Sequence, residues 1–451
     1  MTDPLSLALA RWLAALDWSS LPVRQRELAA LRVLDTVGLL LGGASTQASS
    51  IARAYAQRQG AGRAAIVASA QGTAAGWASF ANGVAAHCWD FDDTFPDSVV
   101  HPGSMVVPTA LAVGEEVGAS GADVLIAIAG GYEVAARLGS AAERRLHHRG
   151  FHASGVFAPI VAAFVAGRLM RLPPEATASA VGLAASMSGG LMAFLQDGSW
   201  SKWLHLGWGN HGGIVAAGLA AEGFRGPVGA LDGRHNLYAA FVGDAPPDLE
   251  ALTAGLGSEW RSEIALFKLY PCAHVIHAYI DLALKLRRSL GIDHQQIRRI
   301  SLKVAPWAVP IVCEPVAEKT HPATTMQAIA SLPFNIAAAF ADGSVCLETL
   351  EDASRARADV CALAARTDYE VADLPGFAGE LTIETTDGLI HASSGEAAEA
   401  DAERLASKFA ALAARALAVD QIDRAIEDIL AVADAPDLSK VAAVLRDAQA
   451  R

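Results

Sequence analysis

The amino-acid sequence predicts a mainly α-helical fold, in which a large all-helical domain is followed by a smaller α+β domain. The chain has 451 residues, which is more than one hydrophobic core usually organises. Apolar residues make up 52% and charged residues 18%, and alanine dominates most long segments, which favours closely packed helices. Strand-like alternation is sparse before about residue 260. The predicted domains are therefore residues 1–262 and 263–395, with C-terminal helices at 396–451 that return to the large domain.

Apolar residues recur at helical spacing along the first domain. The predicted helices cover residues 5–16, 23–41, 73–86, 105–117, 122–142, 155–171 and 201–222. A further helix should begin at Pro173 and Pro174, because proline is favoured in the first turn of a helix. Gly42, Gly43 and Gly60 stand where helices should end.

The second domain combines strand and helix signals. Ile300, Leu302 and Val304 alternate with polar residues, which predicts a half-buried strand. A second alternating run covers residues 380–391 and contains Asp387-Gly388, a dipeptide typical of a tight hairpin turn. Helices are predicted at residues 274–290 and 326–341 in this domain, and at 397–417 and 422–448 after it, the last one interrupted at Pro436.

Charge and cysteine content exclude several function classes. With 35 basic and 48 acidic residues the net charge is -13, which argues against a nucleic acid or an anionic membrane as a partner. The five cysteines are widely spaced and include no C-x-x-C pair, so neither a disulfide framework nor a zinc or iron–sulfur site is indicated. The N-terminus lacks the basic and apolar regions of a signal peptide. We therefore expect a cytoplasmic protein.

Two uncharged runs, residues 64–89 and 176–196, are long enough to span a bilayer. Each contains glycine and several polar uncharged residues. We expect both to be buried helices with flanking turns, and we predict no membrane segment.

Residues 90–94, Asp-Phe-Asp-Asp-Thr, spell the D-x-D-x-T of a phosphoryl-transfer nucleophile. In such an enzyme the first aspartate follows a buried strand. Here residues 79–89 are rich in alanine and resemble the end of a helix, and a motif counts only in its structural context. The phosphatase interpretation is therefore disfavoured. A magnesium or manganese site made of Asp90, Asp93 and His101 is a second alternative, which carboxylates and an imidazole could form.

Five segments, in this order along the chain, resemble the MmgE/PrpD (2-methylcitrate dehydratase) family. They are residues 90–94 followed by His101-Pro102-Gly103; Gly150-Phe151-His152; Ser201-Lys202-Trp203-Leu204-His205; Tyr270-Pro271-Cys272 with His277 and Ile280-Asp281; and residues 331–337. The resemblance implies a large helical domain, a smaller α+β domain, an active-site cleft between them and usually a homodimer.

The family includes dehydratases of methylcitrate-like acids, a cis-aconitate decarboxylase and an epimerase of an imino-diacid. The resemblance implies that a carbanion next to a carboxylate is made or protonated with no metal or organic cofactor, which requires proton carriers and fixed positive charge. We therefore predict a cofactor-independent lyase, a dehydratase or decarboxylase, that acts on a small di- or tricarboxylate. An epimerase or isomerase of a dicarboxylate and a non-catalytic carboxylate-binding homolog are the alternatives.

The resemblance assigns residues to these tasks. The predicted catalytic residues are Asp90, His101, His152 and Lys202. An ordinary imidazole pKa lies near about 6.5, so either histidine could carry a proton; Lys202 would supply positive charge, and Asp90 would orient the base or act as the partner acid. The predicted substrate-binding residues are Thr94, His205, His274 and His277. No metal ligand is predicted.

Spacing adds further expectations about the site. Asp90 and Thr94 would share one face of a helical turn. Asp92 and Asp93 are predicted to be structural. The other histidines of the two domains are predicted to be ordinary surface or core residues: His87, His147, His148, His235, His294 and His391.

Two residues depart from the family pattern. Trp208 follows His205 where the family usually has small and basic residues, so we expect a large indole near the site. Ile329 stands where the family commonly has a basic residue, so one contact to a substrate carboxylate is missing. The sequence thus favours a substrate that is less anionic than a tricarboxylate, or differently shaped.

Overall fold

A computed structural model describes residues 3–243 and 247–450. Within these ranges the chain forms 22 α-helices and one four-stranded sheet. The first twelve helices are α1 (Leu5–Ala15), α2 (Val23–Gly43), α3 (Gln47–Gln57), α4 (Ala75–His87), α5 (Gly103–Val117), α6 (Gly121–Ala142), α7 (Arg145–His148), α8 (Ala153–Leu169), α9 (Pro174–Ala185), α10 (Phe194–Asp197), α11 (Ser201–Ala221) and α12 (Leu237–Phe241).

The sheet and ten further helices follow. The strands are β1 (Ile297–Val304), β2 (Thr367–Val371), β3 (Gly379–Thr385) and β4 (Ile390–Gly395). The helices are α13 (His277–Leu290), α14 (Val309–Val312), α15 (Val316–Thr320), α16 (Thr325–Ile329), α17 (Leu332–Asp342), α18 (Asp352–Arg355), α19 (Ala358–Ala364), α20 (Ala402–Ala413), α21 (Val419–Leu430) and α22 (Ser439–Asp447). The predicted fold class, a large helical part with a smaller α+β part, is confirmed.

Local chemistry explains where the predicted helices begin and end. Ser120 caps α6 by accepting a hydrogen bond from the Asp123 backbone N–H. Gly118, with φ of 67°, ends α5 in the left-handed conformation. Two predicted helices are divided. Residues 326–341 form α16 and α17, because Ser331 caps the second helix, and residues 422–448 form α21 and α22 on either side of Pro436.

The four strands pair in the order β2-β1-β3-β4. β1 is parallel to β2 and antiparallel to β3, which forms a hairpin with β4. Ile300 and Leu302 are buried as predicted, and Gly388, with φ of 84°, makes the predicted turn. β2 was missed by the sequence prediction. Its residues are half-buried or exposed at the edge of the sheet, so they lack the alternation of a buried strand.

Helix α8 is the centre of the helical part. It is buried along almost its whole length because α5, α6, α9 and α11 pack around it. Gly213 allows α11 to lie very close to α8, since a Cβ atom there would stand 2.4 Å from the Pro159 carbonyl oxygen. This close packing brings the N-terminal ends of α8 and α11 together at one place.

Within the described residues, α6 alone is long and apolar enough to cross a bilayer, or α6 and the bent pair α2–α3 if that pair counts as one span. Of the most apolar window of α6, 94% is buried by the rest of the protein. The core helix of a globular protein has this property. None of the five cysteines forms a disulfide, and all five lie in the described ranges. The cytoplasmic location stays a prediction.

The C-terminal helix α20 packs against α2. Its Lys408 forms a buried ion pair with Asp35 of α2, with 2.7 Å between Nζ and Oδ1. The same ammonium donates to the Phe91 carbonyl oxygen at 2.8 Å and lies 3.9 Å from the centre of the Phe91 ring. A single side chain thus ties the C-terminal segment to the segment that contains residues 90–94. The exact domain boundaries stay a prediction.

Replacing Lys408 with methionine should destabilise the fold by about 3–5 kcal/mol, because it leaves the Asp35 carboxylate buried without its partner. Urea denaturation measures this loss. The double variant Asp35→Asn/Lys408→Met should lose less than Lys408→Met alone, since no unpaired charge is left. Equal losses in the single and double variants would contradict an energetic link between the two side chains.

Candidate active site

The segment between α4 and α5 is a loop, not a helical turn. Asp90 and Val99 both adopt left-handed backbone conformations, with φ of 49° and 57°. Such a conformation is costly for a β-branched residue such as Val99 and is often found at functional sites. Thr94 exchanges two backbone hydrogen bonds with Leu266, each of 3.0 Å. The expectation that Asp90 and Thr94 share a helical face is therefore wrong, although both side chains border one cavity.

Asp90 lies between two lysine side chains. Its Oδ1 atom is 2.8 Å from Lys202 Nζ and 2.9 Å from Lys268 Nζ, and Lys268 also donates to the Asp90 carbonyl oxygen at 2.5 Å. Burial alone would raise the pKa of Asp90, but the two ammonium groups hold it well below its ordinary value. A carboxylate that stays ionised is suited to orienting neighbours and not to donating a proton.

Lys268 was missed by the sequence analysis. It is fully buried and lines the cavity, yet it lies 178 residues from Asp90 in the chain. A signal was present: Lys268 is a single charge between apolar residues, next to the Tyr270-Pro271-Cys272 segment that carries the resemblance. An isolated lysine in an apolar run is almost never fully buried unless it has a partner.

His101 is held with one ring nitrogen turned towards the cavity. Its Nδ1 lies 3.1 Å from the Asp93 carbonyl oxygen and 3.3 Å from Thr94 Oγ1. A carbonyl oxygen can only accept, so Nδ1 carries the hydrogen, and Nε2, 3.6 Å from Asp90 Oδ1, keeps its lone pair. Burial lowers the pKa of His101 to about 3, although Asp92 and Asp90 oppose the effect. The imidazole is therefore a neutral base.

His87 and Asp92 form a buried pair behind His101. His87 Nδ1 lies 2.8 Å from Asp92 Oδ2, which also accepts a hydrogen bond of 2.6 Å from Ser104. The His87 ring centre is 5.0 Å from that of His101 and 5.7 Å from that of His152. His87 was predicted to be an ordinary surface or core residue. Its place between His101 and His152 was not foreseen, because nothing in the neighbouring sequence indicates it. Asp92 is structural, as predicted, but it holds a histidine.

Asp93 faces away from this cluster. Its two oxygens accept hydrogen bonds of 2.8 Å from the Gly103 backbone and from the Tyr132 hydroxyl. Burial, with Asp35 nearby, raises the pKa of Asp93 to about 7. The alternative metal site of Asp90, Asp93 and His101 therefore does not form.

A different group has metal-ligand spacing. One ligand atom from each of His87, Asp90, Asp92 and His101 lies within 4.8 Å of the others. Lys202 and Lys268, however, already contact Asp90 Oδ1. A cation at this place would therefore compete with two ammonium groups for the same carboxylate oxygen, which disfavours a metal ion there.

His152 stands at the beginning of α8 and borders the cavity. Its Nδ1 lies 3.1 Å from His205 Nδ1, so one ring donates and the other accepts. Its buried Nε2 has no hydrogen-bond partner among the described residues. Burial and Lys202 keep the pKa of His152 well below its ordinary value. His205 itself does not line the cavity, so it is placed to position His152 instead of contacting a substrate.

His274 and His277 have different positions. His274 lines the cavity, whereas His277 lies behind it, with 4.5 Å between the ring centres and with Tyr270 on its other side. Burial lowers the pKa of His277 to about 3. The predicted substrate contact is therefore available to His274 and not to His277. His147, predicted to be ordinary, also lines the cavity, and burial lowers its pKa to about 4.

The cavity and the open solvent at its mouth together enclose about 650 Å³ of empty space. The polar residues that line it are those described above: Asp90, Thr94, His101, His147, His152, Lys202, Lys268 and His274. Ile329 also lines it, as expected from the sequence, but Trp208 does not. The Trp208 indole is 52% exposed and stacks on His211. It does not reach the cavity because it lies on a different face of α11 from Lys202. The expectation of an indole near the site is wrong.

The family profile of the MmgE/PrpD N-terminal domain matches residues 7–250, and that of the MmgE/PrpD C-terminal domain matches residues 270–432. The chain belongs to the MmgE/PrpD family. The resemblance found in the five segments is thereby confirmed.

Several curated relatives of this MmgE/PrpD protein are named after cis-aconitate decarboxylase. The present chain is 28% identical to the cis-aconitate decarboxylase-like protein oryM of Aspergillus oryzae, and the match covers 66% of this chain and 65% of that protein. The chain is 29% identical to cis-aconitate decarboxylase of Aspergillus terreus, over 47% of this chain and 45% of that protein. It is 26% identical to human cis-aconitate decarboxylase, over 82% of this chain and 79% of the human protein. These relatives support a lyase-type enzyme.

Proposed function

We propose that this MmgE/PrpD protein is a cofactor-independent lyase that removes carbon dioxide from a small di- or tricarboxylate. The observation that carries the proposal is the meeting of His101 Nε2, Lys202 and Lys268 around Asp90 in one buried cavity. The relatives named cis-aconitate decarboxylase favour decarboxylation over dehydration. Asp90, His101, His152 and Lys202 are proposed as the catalytic residues, and Thr94 and His274 as substrate contacts.

The proposed reaction needs a β,γ-unsaturated acid. The bond between the leaving carboxylate and its CH₂ group breaks, and the electron pair forms a new double bond as carbon dioxide departs. The old double-bond pair then rests on the carbon next to a second carboxylate, where a proton adds. Lys202 and Lys268 would stabilise this negative charge. The anionic substrate would raise the pKa of the neighbouring His101, which lets the imidazole bring the proton.

Incubation with cis-aconitate, methylcitrate and smaller dicarboxylates in deuterated water tests the proposal. We expect release of carbon dioxide, one deuterium in the product and full activity in EDTA. Loss of water without carbon dioxide would indicate a dehydratase, and exchange without release of either would indicate an epimerase. Lys202→Met should lower kcat/KM by about 10²–10³-fold, whereas Lys285→Met, at an exposed position on α13, should not. Ligand binding without turnover in the unaltered protein would indicate a non-catalytic homolog.

We also propose that the protein is a homodimer that uses one face of α11. Leu204, Trp208, Val215 and Leu219 repeat at helical spacing and are 46%, 52%, 38% and 38% exposed. Contiguous exposed apolar residues of this kind mark contact surfaces, and a twofold axis would place two such faces against each other.

The double variant Leu204→Glu/Trp208→Glu should convert the dimer to a monomer, because it buries like charges at the contact. Size-exclusion chromatography with light scattering measures the mass. Val419→Glu is the matched control, since Val419 is 83% exposed on α21, outside this face. A monomeric unaltered protein, or a dimer that survives both substitutions, would contradict the proposal.

A further inference from the structure

Part of the cavity lining is apolar. Trp307, Ile311, Met326, Ile329 and Phe377, here called the apolar wall, all come from the α+β part of the chain and line the cavity. Ile329, Met326 and Phe377 are buried, at 1%, 3% and 7% exposed. The Trp307 and Phe377 ring centres lie 6.0 Å apart. None of these five side chains carries a charge, and of the five the Trp307 indole N–H alone could donate a hydrogen bond to a carboxylate.

The fixed charges of the cavity lie on residues outside the apolar wall. The ionised groups that line it are Asp90, Lys202 and Lys268, which together carry one net positive charge. The lining imidazoles are held neutral by burial. A tricarboxylate would bring three negative charges into this space, and its third carboxylate would stand against the apolar wall with no cation to pair with it. Burial of an unpaired charge is strongly unfavourable.

Two cations lie close to the apolar wall, but both are already engaged. The Arg144 guanidinium stacks on the Trp307 indole at 4.0 Å and donates to the Pro96 carbonyl oxygen at 2.6 Å. Lys319 donates to the carbonyl oxygens of Ile311 and Ala330, each at 2.7 Å. Neither side chain lines the cavity. They support the wall and do not change its apolar surface.

We propose that the substrate is an unsaturated dicarboxylate that carries an uncharged apolar group of several carbon atoms where cis-aconitate has its central carboxylate. This inference rests on the proposed function. The two carboxylates lie towards Lys202 and Lys268, and the apolar group packs against the apolar wall, which removes its surface from water. The apolar wall thereby selects the substituent, while Lys202 and Lys268 hold the two carboxylates.

A substrate series that differs at one position tests the inference on the unaltered protein. The compounds are cis-aconitate and glutaconates whose central carbon carries methyl, propyl or phenyl in place of the carboxylate. We expect kcat/KM for carbon dioxide release to rise with the size of the apolar group and to exceed that of cis-aconitate by about tenfold or more for propyl. A preference for cis-aconitate over all three would overturn the inference and leave the proposed lyase function intact.

A binding measurement tests the inference about the substrate independently of the proposed lyase activity. Calorimetry with two saturated, unreactive analogues, tricarballylate and a glutarate with a central propyl group, measures the preference without catalysis. Tighter binding of the propyl compound supports the inference even if no compound releases carbon dioxide, and tighter binding of tricarballylate overturns it.

Ile329→Arg supplies a cation to the apolar wall. It should raise kcat/KM for cis-aconitate relative to the propyl compound by about tenfold, and the control Ile329→Leu should leave the ratio unchanged. If Ile329→Arg does not fold, the comparisons on the unaltered protein still decide the question.

Discussion

His101→Gln should lower kcat by about 10²–10⁴-fold while leaving the fold intact, because it removes the group that carries the proton. The amide of glutamine can still donate to the Asp93 carbonyl oxygen, which His101 Nδ1 faces at 3.1 Å. It cannot take up and release a proton at the position of Nε2, beside Asp90. Steady-state kinetics with release of carbon dioxide as the readout measures the loss, and circular dichroism checks the fold.

His148→Gln is the matched control, since His148 is exposed at the end of α7. It should leave kcat within about twofold of the unaltered protein, as surface substitutions usually do. The pH profile gives a second readout. His101 must gain a proton before it can give one, and burial lowers its pKa to about 3, so kcat/KM should fall as the pH rises and should show no acid limb near pH 6.5. An acid limb at that pH, or a His101→Gln variant with full activity, would show that His101 is not the proton carrier.

Acidification should destabilise the folded protein strongly between pH 6.5 and pH 5. Seven histidines have pKa values lowered by burial in the folded state: His101, His147, His152, His205, His211, His274 and His277. In the unfolded chain each has a pKa near about 6.5. Below that pH the unfolded chain therefore binds protons that the folded chain does not, so unfolding is favoured as the pH falls. Each histidine contributes up to about 1.4 kcal/mol per pH unit.

Three carboxyl groups oppose this effect, because burial raises the pKa values of Asp35, Asp93 and Glu115. The pKa of Asp93 is raised to about 7, so between pH 7 and pH 4 the folded state holds a proton that the unfolded state has lost. The seven histidines outnumber the three carboxyl groups, and we expect the free energy of unfolding to fall by about 3 kcal/mol or more between pH 6.5 and pH 5. Urea denaturation at several pH values measures the change. An unaltered urea midpoint would mean that these imidazoles gain protons in the folded state.

The helical part of the fold could be predicted from the sequence because its signals are local. Apolar spacing and the caps at Ser120 and Gly118 lie within one or two turns of the helices that they define. The hairpin at Gly388 was predicted for the same reason. β2 could not be predicted, since its pairing with β1 is set by tertiary contacts and its own residues bury little surface.

The site was predicted by resemblance more than by local pattern. Asp90, His101, His152 and Lys202 do meet, but local spacing gave a wrong helical turn at Asp90 and no hint of its left-handed backbone. Lys268 was missed because its partner is remote in the chain. Trp208 was misplaced, because closeness to His205 in sequence does not fix the face of α11 on which a side chain stands.

The link from Lys408 to the Phe91 carbonyl oxygen spans 317 residues. During synthesis, the loop that bears Asp90 is made long before the side chain that fastens it. A nascent chain therefore cannot fasten this loop until α20 has left the ribosome. A chain truncated before residue 408 would lack the fastening and would leave the Asp35 carboxylate buried without its partner.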